Sequence, residues 1–199
     1  MLIFLLAVTL LMITPGPGVL STAGFGVAYG FRPSLRYVLG LFAGSNLVML
    51  AVITGVAAIV LSLPWLRALL MALSVGYLLY LAARIAFAGA HLAFLQAHNP
   101  PGILGGLMLQ MINPKAYVVN TSLITGFSYA PANLPFEIAT KVLIMNAVWI
   151  PVHLGWLYAG CRLHALALSP RRQRMINIGM ACAMLAVVAL AVWTAARAA

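Results

Sequence analysis

Glu137 is the only acidic side chain in a chain of 199 residues, against eleven lysines and arginines. A soluble domain carries charge on roughly a quarter of its positions. Here the charged fraction is 6% and the hydrophobic fraction 65%, so a soluble fold is excluded. Six membrane spans of about 20 residues need roughly 120 apolar-rich positions, close to what this chain holds. No stretch remains for a second, aqueous domain. The whole chain, residues 1–199, reads as one transmembrane domain.

Six apolar stretches can be drawn: Leu2 to Tyr29, Tyr37 to Leu63, Trp65 to Phe87, Gly102 to Phe127, Phe136 to Cys161 and Ile176 to Ala195. Backbone groups in hydrocarbon must be satisfied internally, and the alternation of a β-barrel is absent, so the expectation is an all-α polytopic protein. The opening MLIFLLAVTLLMI lacks the positive region of a signal peptide. It reads as a retained membrane segment. The connectors are GFRPSLR at 30–36, the turn at Pro64, AGAHLAFLQAHNPP at 88–101, SYAPANLP at 128–135 and the basic RLHALALSPRRQR at 162–174.

Orientation follows from the basic residues. Arg32, Arg36, Arg84, Arg162, Arg171, Arg172 and Arg174 fall on one side, and Arg67, Lys141 and Arg197 on the other. The richer side belongs in the cytoplasm of a plasma (inner) membrane protein, with both termini outside. The net charge of +10 is spread between apolar runs, with no basic helix face or base-stacking module. Anionic lipid head groups, not nucleic acid, are the partners it fits. Trp65, Trp149, Trp156 and Trp193 are candidates for interfacial anchors or for bundle packing.

Two interruptions carry the functional argument: Thr14-Pro15-Gly16-Pro17-Gly18 in the first stretch and Asn113-Pro114-Lys115 in the fourth. Each lies about eleven to thirteen residues into its span, near mid-bilayer at 1.5 Å per residue. Pro15 and Pro114 stand 99 residues apart, half the chain. Three spans start at each break, so the second half enters the membrane inverted relative to the first. This is the arrangement of an inverted-repeat transporter, with repeats of about 1–95 and 100–199. Thr-Pro and Asn-Pro both read as an N-cap followed by proline at the first helical position. Two half-helix N-termini, each with about half a positive charge and unpaired N–H groups, would then converge on the midplane. That makes a carboxylate site, to which Lys115 adds a full charge. The competing readings are prolines that kink helices for packing and a lysine that snorkels to an interface.

TPGPG, the GYLLYLAAR end of the third stretch and NPKAY in the fourth resemble the LysE/RhtB family of amino-acid exporters. The resemblance extends over essentially the whole chain. It implies secondary export of amino acids or close derivatives, driven by the proton gradient, and maps the family's helix breaks onto Pro15, Gly16 and Pro17 and onto Asn113, Pro114 and Lys115. One departure stands out. Where many members carry an acidic residue early in the second helix, this chain reads GLFAGSNLVML, with Ser45 or Asn46 in that place.

Proton coupling normally uses an intramembrane titrating group. His153 is the one histidine placed inside a span. It is either a proton carrier or a core histidine bonded to a backbone carbonyl. Asn46, Gln110 and Asn146 are polar residues inside spans, and either line a pathway or bond between helices. Gln110 lies one turn before Asn113 and shares its face. The spacings Gly40-xxx-Gly44 and Gly102-xxx-Gly106 permit close helix approach, within the chain or in a homo-oligomer.

A metal site is not expected. Cys161 and Cys182 have no CxxC partner and read as small buried side chains. His91 and His98 lack a carboxylate or cysteine nearby. No cofactor motif occurs. One carboxylate cannot supply paired-acid chemistry, and no Asp exists to complete a triad, so the residue set argues against an enzyme. A carrier of another solute and a non-transporting accessory protein remain as rivals to amino-acid export.

Overall fold

The computed structural model describes residues 1–87, 100–165 and 169–197. Among these the chain is helical: α1 (Leu2–Ile13), α2 (Pro17–Tyr29), α3 (Phe31–Ile53), α4 (Val56–Ser62), α5 (Pro64–Ala86), α6 (Gly102–Ile112), α7 (Pro114–Thr125), α8 (Leu134–Ala165) and α9 (Pro170–Arg197). Helices α3, α5 and α8 are long and apolar enough to cross a membrane, and the bent pair α1/α2 makes a fourth span if taken as one. Among the described residues the protein is an all-helical membrane protein. His91 and His98 lie outside the described residues.

Local chemistry explains most boundaries. Gly30 adopts φ 79°, a conformation that costs glycine nothing. It alone reverses the chain between α2 and α3. The expected connector at 30–36 is therefore helix from Phe31 onward, with Pro33 in the first turn where its missing N–H is not needed. Gly55, at φ 80°, splits the second stretch into α3 and α4. The basic segment expected as a loop at 162–174 is helical up to Ala165 and again from Pro170. Helix termini need cap residues and punctuating glycines, and this segment has neither until Ser169 and Pro170.

Two crossings hold the bundle together. At α3·α6, a Cβ on Gly40 would lie 1.9 Å from the Ile103 carbonyl oxygen, and one on Gly106 would lie 2.1 Å from that of Tyr37. At α2·α8, a Cβ on Gly160 would lie 2.2 Å from the Ala23 carbonyl oxygen, and one on Gly26 would lie 2.7 Å from that of Leu157. Backbones touch at both places, which only small residues allow. Gly40, Gly44 and Gly106 are thus spent within the chain, while Gly102 serves a turn at φ 67°. Every residue of α2 from Pro17 to Val27 is buried. Cys161 is half-buried and Cys182 is exposed, contrary to the expected burial of both; the α9 face that carries Cys182 has no described helix against it.

The single acid is a tie. Glu137 Oε1 pairs with Lys141 Nζ at 2.7 Å, and its Oε2 accepts from the backbone of Tyr129 and Ala130. Lys141 also donates to the carbonyls of Ile124 and Phe127. The turn after α7 is thereby fastened to α8.

Candidate functional site

Proline stereochemistry shapes both breaks. A residue before proline is pushed out of the helical region. In Thr14-Pro15-Gly16-Pro17 this happens twice, so Thr14 (ψ 126°) and Gly16 (φ −161°, ψ 178°) are both extended, and the helix resumes only at Pro17. The N-cap of α2 is therefore Gly16, not Thr14. Thr14 instead closes α1, its hydroxyl donating to the Leu10 carbonyl at 2.6 Å. Asn113-Pro114 contains one proline and one extended residue. Asn113 is the N-cap of α7, as expected, its side chain accepting from the Lys115 N–H at 3.1 Å.

The two breaks are not equivalent in the donors they leave. At α7, Asn113 takes the N–H of Lys115 with its side chain and that of Ala116 with its carbonyl. At α2 no side chain caps the helix, and Pro17 has no N–H. The N–H groups of Gly18 and Val19 have no partner among the described residues. The expected pair of donor-rich N-termini is in fact one, because asparagine caps and glycine does not.

The breaks meet. Lys115 Nζ donates to the Thr14 carbonyl at 2.7 Å and approaches that of Pro15 at 3.5 Å. A Cβ on Gly16 would stand 2.8 Å from Lys115 Cδ, so the glycine is what lets the lysine pass. Between the breaks lies a cavity of about 470 Å³, part of it open to the outside. Thr14, Gly16, Pro17, Gly18, Gln110, Asn113, Lys115 and His153 line it, together with Val19, Ser45, Asn120 and Trp149 and the apolar Leu11, Met12 and Val119. Pro15 and Pro114 form the corners behind this lining.

Acceptors face this space. Asn120 is buried, its amide N–H donating to the Ala116 carbonyl at 2.7 Å, while its Oδ1 has no partner. Gln110 Oε1 accepts from Asn113 Nδ2 at 3.0 Å, confirming their shared face. His153 stacks on Trp149, ring centroids 3.6 Å apart, and its Nδ1 lies 3.0 Å from the Trp149 carbonyl oxygen. A carbonyl only accepts, so Nδ1 carries the proton, and the neutral ring keeps its lone pair on Nε2. A Cβ on Gly18 would stand 3.5 Å from that Nε2 and 3.8 Å from Gln110 Oε1. His153 is thus both bonded to a backbone carbonyl and placed at the cavity.

Asn46 is placed elsewhere. It exchanges two hydrogen bonds with Asn146, at 3.1 and 2.9 Å, joining α3 to α8 outside the cavity lining. Sequence reasoning passed over Asn120, although it lies seven residues after Asn113 on the same helical face. It left Trp149 open between interfacial anchoring and bundle packing; this residue is buried and in the cavity wall.

The family model for the LysE type translocator matches residues 9–195, which includes both breaks and the whole cavity. The chain belongs to the LysE type translocator family. No curated protein and no solved structure matches it. The family is one of membrane transporters.

Proposed function

We propose that this translocator is a secondary exporter of amino acids or closely related zwitterions, working by alternating access about the cavity between its two helix breaks. One observation carries the reading. The same cavity holds two free N–H donors, at Gly18 and Val19, and an unpartnered acceptor, Asn120 Oδ1. A buried polar group left unpaired costs free energy of order 1–3 kcal/mol, so both are poised for a ligand that carries opposite charges at its two ends. The carboxylate belongs at the N–H pair, on the positive end of α2. The ammonium belongs among the acceptors at the same break, the Thr14 and Pro15 carbonyls that Lys115 holds, with Asn120 Oδ1 beside them. These stand in for the missing acid of the second helix.

The six-span, inverted-repeat architecture is part of this proposal. It pairs α1/α2, α3 and α5 with α6/α7, α8 and α9. Pro15 and Pro114 are 99 residues apart, and Asn46 and Asn146 are 100 apart and bonded to each other. A two-fold axis running between two identical side chains produces such a reciprocal pair. The exposed Arg32, Arg36, Arg162, Arg171, Arg172 and Arg174 fit the anionic head groups of a cytoplasmic leaflet, with both termini outside a plasma membrane. His153, through Nε2, carries the proton.

Reconstitution into liposomes tests the reading. Radiolabelled amino acids, offered as a panel of the twenty, should be moved when a pH gradient is imposed, and Lys115→Ala should slow that movement. A wild-type protein that moves none of them refutes amino-acid export. A His153→Ala variant with an unchanged pH profile removes His153 from the coupling.

A further inference from the structure

We propose that Lys115 is a latch displaced by the ammonium of the substrate, and that this exchange makes the site reject amines that lack a carboxylate. The inference rests on the transport reading above and concerns how the same cavity selects. In an unbroken helix the Thr14 carbonyl would accept from the Gly18 N–H, and the Pro15 carbonyl from the Val19 N–H, at the usual four-residue spacing. The double proline pulls these partners apart. The donors are left free, and the two carbonyls are taken by Lys115 Nζ, at 2.7 and 3.5 Å.

The break is therefore a dipolar slot with one half filled. Lys115 supplies the cation for the carbonyl half. Nothing in the chain supplies the anion for the N–H half, because the one carboxylate, Glu137, is committed to Lys141 and the turn after α7. An amino acid completes the slot. Its carboxylate takes the N–H pair and offers Lys115 a new partner, while its ammonium takes over the carbonyls. An amine of the same skeleton must evict a tethered ammonium and leave it with no anion. A carboxylic acid of the same skeleton fills the N–H half and leaves the latch shut. Because Lys115 belongs to α7 and the carbonyls to the end of α1, only the zwitterion releases this tie between the two broken helices.

Equilibrium binding to the purified full-length protein in detergent tests this. The probes are radiolabelled alanine, leucine and phenylalanine and their decarboxylated partners ethylamine, isoamylamine and phenethylamine. In the wild type the amines should bind at least about tenfold more weakly than the amino acids, as expected when a tethered group competes at millimolar effective concentration. In Lys115→Ala and Lys115→Met the amines should tighten until that gap closes. Gly16→Ala is the second arm. Its Cβ would stand 2.8 Å from Lys115 Cδ and 3.0 Å from Nζ, so it unseats the ammonium while keeping the charge, and should shift the ratio the same way. Loss of amino-acid binding in the lysine variants with no gain for amines makes Lys115 a simple carboxylate ligand and overturns the latch. A wild-type ratio in Gly16→Ala overturns it too. A wild type that binds no amino acid instead removes the transport reading itself.

Discussion

The α3·α6 crossing makes the most direct quantitative prediction. A methyl group on Gly106 would sit 2.1 Å from the Tyr37 carbonyl oxygen and 2.6 Å from the Leu41 nitrogen, and one on Gly40 would sit 1.9 Å from the Ile103 carbonyl oxygen. These neighbours are backbone atoms of rigid helices and cannot swing aside. Relief requires the helices to part by about 1 Å, a gap that forfeits a quarter to a half of each dispersion contact along the seam. Overpacking of this kind costs about 1–3 kcal/mol. Gly76→Ala, Gly155→Ala and Gly179→Ala are the controls, since a Cβ at those positions meets nothing within 4 Å. There the gain in helix propensity, up to about 1 kcal/mol, is unopposed. Reversible unfolding in SDS, followed by circular dichroism, should therefore show opposite signs for the two groups. The double variant Gly40→Ala/Gly106→Ala should lose less than the sum of its parts, with a discrepancy of about 0.5–3 kcal/mol, because one separation of the helices relieves both clashes. If Gly106→Ala proves as stable as Gly155→Ala, the close approach of α3 and α6 is wrong.

Three further outcomes are expected. Glu137→Ala removes the acceptor of the Tyr129 and Ala130 N–H groups, so hydrogen exchange at those two amides should accelerate relative to the rest of the turn; unchanged protection would show that the carboxylate does not hold it. The Asn46–Asn146 pair should give a coupling energy of about 0.6 kcal/mol, and at most about 1.7, in a double-mutant cycle with alanine; additive losses would mean that the two amides are not bonded. Asn113→Ala should cost about 1 kcal/mol through loss of the α7 cap, with Asn113→Ser retaining most of it, and equal losses in the same SDS titration would assign Asn113 a role other than capping.

What could be read from the sequence was what proline and glycine enforce locally. Both breaks fall where TPGPG and NPK place them, since a pyrrolidine ring restricts its own residue and the one before it wherever it occurs. The same rule, applied to both prolines of TPGP, also moves the N-cap from Thr14 to Gly16. The span composition likewise marked α5 and α8 to within a few residues. Tertiary choices were not legible. A lysine near two helix N-termini reads as an anion ligand, and only the fold shows its ammonium on the carbonyls that end α1. Asn46 and Asn146 could each line a pathway or bond between helices, and neither betrays the other as its partner until α3 and α8 are side by side. Gly26 and Gly160 form a second backbone crossing, but Gly160 has only Trp156 and His164 four positions away, so its half of the contact left no small-residue pattern. Asn120 had a signal, the shared face with Asn113, that periodicity alone does not distinguish from an interhelical bond.

The packing around the cavity divides by half-helix, and the division bears on how it can open. Helices α2 and α6 are pressed against α8 and α3 through glycine, backbone to backbone, which leaves little freedom for either to slide. Helices α1 and α7 are held differently. They run antiparallel to each other and are fastened at two points. At the cavity end the fastening is Lys115 on the Thr14 carbonyl. At the far end Phe4 packs on Phe127 and Tyr129, with ring centroids 5.7 and 5.8 Å away, over the Glu137–Lys141 pair. Side-chain contacts of this kind can be exchanged one at a time, whereas a backbone crossing must part along its length. In the inverted arrangement we propose, α1 and α7 occupy the same side of the membrane. The looser pair and the tighter pair then face opposite compartments, with the dipolar slot between them. A ligand that releases Lys115 frees one of the two fastenings of α1 to α7 and none of the glycine crossings, so the side it unlocks first is the one that α1 and α7 close.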